Sequence, residues 1–434
     1  IVSITNGTDF VISAAATAGS SQTFYAAQQL NMSGALTGTG NITKAGGGKV
    51  VLSAASTGYT GTYFANAGIT EMTNATALSG VVATPGAGAP VSIGTGGTFY
   101  YNNGTSSTVS NNLTLAGGTL SVGGNNQTYS GAVNVSADSN INLRELANAT
   151  PTATARNITL SGSLSGSGAI TLDSNNATAT GNQIGGTLTI NKAASTWNGA
   201  LNVSRGTALF TNVAGSGNAT PYVGYDGIIN FNQFGRVIYR NIDDGSLTRT
   251  AALNFAASAV GELSVDNVGA LTSNYTLTQS GAVNLNAGSV VRLVVDTASQ
   301  LDLTGGVVLN GNASVTVVGG DADSLVSINT TGISGTGNLA INDEAGAWTQ
   351  TSTRLAINVA STFTGNTTLN EGILILGHKD ALSSGSLTIT GSSTIQAGAD
   401  LSGANAVANA LVLNNNLTVS GSNSLTLSGA VAAT

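Results

Sequence analysis

The chain has no cysteine, four prolines and one histidine among its 434 residues. Without cysteine there is no disulfide framework and no thiolate for a metal. Four prolines exclude a collagen-like chain or a proline-rich linker. The single histidine, His378, stands in Leu376-Gly377-His378-Lys379-Asp380, where a solvated turn is expected. No Gly-x-Ser-x-Gly or Gly-Asp-Ser-Gly sequence accompanies it, which argues against hydrolysis by serine. Charged residues make up only 7% of the chain, and between Glu71 and Asp138 there are none at all. Over that interval solubility rests on Thr, Ser, Asn and the backbone. A net charge of -7 with 12 Lys plus Arg gives no basic footprint for nucleic acid or anionic lipid. No apolar run is long enough for a transmembrane helix.

What is present in quantity is glycine, 59 residues, together with 41% apolar residues, a composition unlike that of disordered chains. The apolar residues come in triplets: Leu113-Thr114-Leu115, Val133-Asn134-Val135, Ile141-Asn142-Leu143, Ile158-Thr159-Leu160, Ile170-Thr171-Leu172, Leu188-Thr189-Ile190, Leu301-Asp302-Leu303, Leu387-Thr388-Ile389 and Leu425-Thr426-Leu427. Their period of two predicts short strands with one buried face. Gly, Ser and Asn between them supply the turns. A corner glycine recurs at Gly61, Gly131, Gly199, Gly281, Gly365 and Gly429, at intervals of roughly 65 to 85 residues, read as about three coils of a solenoid each. Tyr59, Tyr129, Trp197 and Phe363 stand two residues before four of these glycines.

The fullest statement of the pattern is residues 38–72. Gly38, Gly40, Ile42 and Lys44 are followed by Gly46 to Gly48, the triplet Val50 to Leu52 and the corner Tyr59-Thr60-Gly61-Thr62. This stretch resembles the passenger-associated transport repeat, or autotransporter-associated β-strand repeat, of bacterial secreted surface proteins. Further copies lie at 166–209 and 335–389; the latter lacks a Lys after Leu339 and carries an insert with Trp348.

Pattern and resemblance together predict an all-β fold, a right-handed parallel β-helix of roughly 18 coils with few or no helices. It would run through 1–434 as one continuous solenoid, with Asn ladders at its turns. A β-sandwich is the alternative that short strands and many turns also describe. The resemblance implies a non-enzymatic, extracellular or cell-surface adhesin, spacer or fibre component. Its expected partners are other copies of itself or further repeats, host or matrix glycans, and an outer-membrane barrel if the chain is part of a longer one. The abrupt start at Ile1 and the repeat opening at Leu427-Ser428-Gly429-Ala430 suit such an excised segment, or a solenoid end that stacks on another copy. A filament or surface-layer subunit and a carbohydrate-active β-helix protein are the rival readings.

One segment departs in composition. Residues 222–250 gather aromatic and charged side chains, and Tyr222, Tyr225, Phe231, Phe234, Arg236, Tyr239 and Arg240 are the candidate ligand or partner contacts, because Tyr and Arg dominate binding hot spots. Otherwise the segment is a protruding or lateral-packing insertion. Paired acids are scarce. Asp243 and Asp244 would point to opposite faces of a strand, which makes a poor glycosidase pair. Asp321 and Asp323 share a face after Gly319-Gly320 and are the one candidate for calcium; no other cofactor is expected.

Overall fold

The computed structural model describes every residue except 1, 5–9, 13–15, 27, 79–87, 103, 105, 148–149, 175–184, 191–194, 212–224, 242–245, 268–274, 297–298, 320–323, 344–353 and 434. Strand accounts for 56% of the structure. The one helical turn among the described residues is a 3-10 turn at Gly403–Asn405. The fold is an all-β parallel solenoid, and the chain divides into two compact units, Ile1–Val213 and Ala214–Thr434.

In the first unit the coils contribute strands to three sheets. The first sheet has eight strands, among them Ile42–Ala45, Tyr63–Ala65, Val91–Gly94, Leu113–Ala116, Val133–Ala137 and Leu164–Gly166. Every pairing in it is parallel, and residues one coil apart lie side by side: Ile42, Tyr63, Val91, Leu113, Val133 and Leu164 form a single row. All six are buried. The next residue along each strand points outward, giving the row Thr43, Phe64, Ser92, Thr114, Asn134 and Ser165. The alternation of the triplets is thus the alternation of inside and outside. On the third sheet the outward row is Thr108, Thr128, Thr159 and Thr189. Leu201–Thr211 turns a corner in mid-strand, pairing first with Ile170–Asp173 and then with Thr187–Ile190.

The second unit is built the same way. An eight-stranded sheet stacks Leu247, Leu277, Leu301, Val326, Leu355, Leu374 and Ile395 in one row. A second sheet runs from the end of Ile229–Asn241 through Val260–Asn267, Val290–Val295, Ala313–Gly319 and Leu339–Ile341. The amide ladders expected at turns are present, Asn310 donating to Asn286 at 3.2 Å and Asn358 to Asn329 at 2.8 Å, and a further one runs along strands, Asn254 donating to Asn230 and Asn284 to Asn254, both at 2.8 Å. Asn and Asp at corners also accept the backbone N–H of the following coil, as Asn112 does from Ala132 and Asn338 from Asn366, both at 2.8 Å. Eight of the nine triplets bury both apolar residues, the ninth, Leu425-Thr426-Leu427, being partly exposed.

The paired residues that start successive strands of the first sheet are about 20 to 31 positions apart, as three coils per glycine interval imply. Two expectations are corrected. The corner glycines do not share one corner. Gly61 and Gly131 precede the first sheet of their unit, whereas Gly199 precedes the second. Gly281 likewise leads into a different sheet from Gly365 and Gly429. Finally, the described part of 222–250 does not protrude, since Ile229–Asn241 is paired in parallel along its length. The antiparallel pair of strands among the described residues lies elsewhere, at Ser139–Ala147 and Thr150–Ala155.

Candidate functional site: the charged face of the second unit

In Ile229–Asn241 the sequence Arg236-Val237-Ile238-Tyr239-Arg240 alternates, so Val237 and Tyr239 point into the coil and the arginines point out. Tyr225, Phe231 and Tyr239 are 2%, 0% and 1% exposed, which removes them as ligand contacts. Phe231 stacks on Phe255 with ring centroids 4.5 Å apart. Phe234 is half-buried, and Tyr222 lies outside the described residues.

The interior aromatics surround a charge. Arg249 is wholly buried, donates to Gln279 Oε1 at 2.7 Å and to the Gly227 carbonyl at 2.7 Å, and lies over the Tyr239 ring at 5.6 Å. Asp226 accepts from the backbone and side chain of Thr250 and from the Ala251 N–H. Burial opposes ionisation of its carboxyl, but these hydrogen bonds and the nearby Arg249 prevail and hold it below the usual carboxylate range. Burial pushes the Tyr239 phenol up to about 12. Arg249, Tyr225, Tyr239 and Gln279 fill the coil's interior, and Asp226 closes it at an exposed edge.

Arg236 and Arg240 form the outward face with strands one coil on. Arg236 meets Glu262 at 2.6 Å and Arg240 meets Asp266 at 2.6 Å. In register, Arg292 follows Glu262, so charges alternate along the row. Ser264 donates to Glu262 at 2.8 Å. Beside these rows, Ile238, Val294 and Val318 line an open groove of about 400 Å³ that also includes Asp296. Its cation–carboxylate contacts, Arg236 with Glu262 and Arg240 with Asp266, are within the protein, which suits cross-strand bracing.

The remaining candidates fall as follows. Asp243, Asp244, Asp321, Asp323 and Trp348 lie outside the described residues; among the described residues no three His, Asp or Glu side chains gather as a metal site. His378 is a turn residue whose Nδ1 accepts the Asp380 N–H at 3.0 Å. At the repeat corners Tyr59, Tyr129, Trp197 and Phe363 are all buried. Tyr59 donates to the Thr62 carbonyl at 3.0 Å and Trp197 to the Gly168 carbonyl at 2.8 Å. Each glycine after them touches the coil before: a Cβ on Gly61 would lie 2.2 Å from the Gly40 oxygen, and on Gly131, Gly199 or Gly365 it would meet a carbonyl oxygen at 2.1, 1.9 or 2.1 Å.

Two polar sites went unread in the sequence. Lys44 points inward and is wholly buried, its ammonium donating to the carbonyls of Ala45, Gly46 and Ala67 at 3.1, 2.5 and 2.7 Å. It therefore ties the glycine corner of one coil to the coil above. On the outer face, Glu71 accepts from Lys49 and from Asn102, both at 2.8 Å, and so straps three coils together. The repeat motif marks Lys44, but only the inward phase of Ile42-Thr43-Lys44 shows where it goes. Comparison with protein-family models, curated proteins and solved structures finds no match for this chain.

Proposed function

We propose that the chain is a non-enzymatic structural β-solenoid of the bacterial cell surface or extracellular space, a spacer, adhesin or fibre component of an autotransporter-like protein. The carrying observation is the run of in-register parallel ladders whose outward rows are mostly uncharged Thr, Ser and Asn. Such coils leave few unpaired backbone groups between windings, resist local opening, and present many weak hydroxyl and amide contacts, for which host or matrix glycans are the proposed partners. The repeat at 38–72 supports the surface assignment, and its Lys44 tether gives that motif a mechanical role. Secretion is assisted, in this reading, because each coil that folds outside opposes backsliding.

The test is surface display. The chain is fused to a translocating outer-membrane barrel in a bacterial host, with and without residues 42–62, one winding of the first sheet. Antibody labelling of intact cells should fall when the winding is removed, and the displayed chain should resist added protease. Equal display and rapid digestion of both forms would contradict the proposal.

A further inference from the structure

We propose that the outward face of the third sheet of the first unit binds ice, through a column of threonines whose spacing fits the crystal. This goes beyond the functional reading above and does not rest on it.

The column is Thr108, Thr128, Thr159 and Thr189, one residue from each of four successive coils, paired in register with no bulge between them. Parallel pairing fixes the step from one threonine to the next at about 4.8 Å. Part of each side chain is exposed, and none of the four hydroxyls bonds to another group among the described residues. Two positions back along the strands stand Asn126, Asn157 and Thr187, and two positions on stand Ser130 and Ser161. These columns lie roughly 6.6 Å to either side, twice the rise per residue of a parallel strand. The two steps are close to the oxygen repeats along the two axes of the prism face of hexagonal ice.

The face is also stiff and uncharged. Asn126 and Asn157 spend their side-chain oxygens on the backbone of the next coil, Asn126 accepting from Asn157 at 2.9 Å and Asn157 from Thr187 at 2.8 Å, so their amides are held in place. The branched Cβ holds threonine to few rotamers. Groups fixed before binding spare the entropy of ordering them, which an array of weak contacts to a solid requires. Each threonine offers lattice water a hydroxyl that donates and accepts, and a methyl that restricts the water around it. A charged side chain would hold its own hydration shell against the lattice, and none stands in these columns. The other two sheets of the unit are less suited. The first sets Phe64 among its outward hydroxyls, and the second carries the Lys49–Glu71 ion pair. On the third sheet the column ends where Leu209 follows Thr189 in register.

The test is thermal hysteresis of the whole chain. A seeded ice crystal should stay unchanged over a gap below its melting point, and the protein should be carried into growing ice that leaves a bystander protein behind. Thr159→Tyr should abolish the gap, and Thr159→Ser, which keeps the hydroxyl and removes the methyl, should narrow it. Leu209→Thr adds a fifth threonine to the column and should widen it. Thr114→Tyr, on the outward face of the first sheet, should leave the parent value, and circular dichroism should show each variant folded. Absence of a gap in the parent, an unchanged gap in Thr159→Tyr, or equal losses in Thr159→Tyr and Thr114→Tyr would overturn the proposal. Should Thr159→Tyr fail to fold, an unchanged gap in both Thr159→Ser and Leu209→Thr would overturn it as well. None of these readouts depends on surface display or protease resistance, which test the functional reading separately.

Discussion

A single atom decides most about the corner glycines. Because a Cβ on Gly61 would stand 2.2 Å from the Gly40 carbonyl oxygen, Gly61→Ala must push two coils apart or turn the corner outward. The expected cost is at least about 2 kcal/mol, read as a lowered urea midpoint, whereas Gly47→Ala, with open space around it, should cost far less. Lys44 gives a pH signature. Burial pushes its ammonium down to about 8 from an ordinary 10.5, so between those values the unfolded chain holds a proton that the native chain has released. Unfolding then takes up a proton, and stability should rise with pH across that window. Urea titrations at pH 7 to 10 should show that rise in the parent and none in Lys44→Met. An identical pH profile in both proteins would show that the cage does not set it.

Among elements, the outward ladders differ in burial and therefore in energetic weight. Glu262, whose side chain is 5% exposed, pairs with Arg236 and accepts from Ser264, and its change to Gln should cost about 2 kcal/mol because the buried carboxylate is lost from both bonds. Asp266, at 21% exposure beside Arg240, should cost less than about 1 kcal/mol as Asn. Equal effects in denaturant titrations would mean that burial does not govern this face. The strands themselves were legible because the triplets have one phase each, and Leu113-Thr114-Leu115 can only place Thr114 outside. The site was less so. Aromatic and arginine content marked 222–250 as a binding segment, yet content does not separate inward from outward positions. The alternation of Arg236, Ile238 and Arg240 against Val237 and Tyr239 carried that information. The corner glycines were misread for a related reason: glycine is required wherever two windings touch, and every corner is such a place, so similar glycines mark different corners.

At the scale of a whole unit, stability is a sum over windings and their neighbours. Deleting residues 387–410 removes one winding and brings Leu411 to the place of Leu387, against Thr367. The shortened chain should keep its β-sheet spectrum and a cooperative urea transition. Deleting residues 387–398, part of a winding, should break the register and lose both. The account depends most on parallel, in-register stacking of windings, and the cysteine-free sequence allows a direct measurement. Thr159 and Thr189 are outward neighbours on adjacent coils of the first unit, within the Cα spacing that a disulfide spans. The double variant Thr159→Cys, Thr189→Cys should therefore form an intramolecular disulfide under mild oxidation, seen as a linked peptide pair by mass spectrometry. Thr159→Cys paired with Thr128→Cys, its neighbour on the other side, should do the same. Free thiols in both double variants after oxidation of the folded protein would contradict the stacked solenoid.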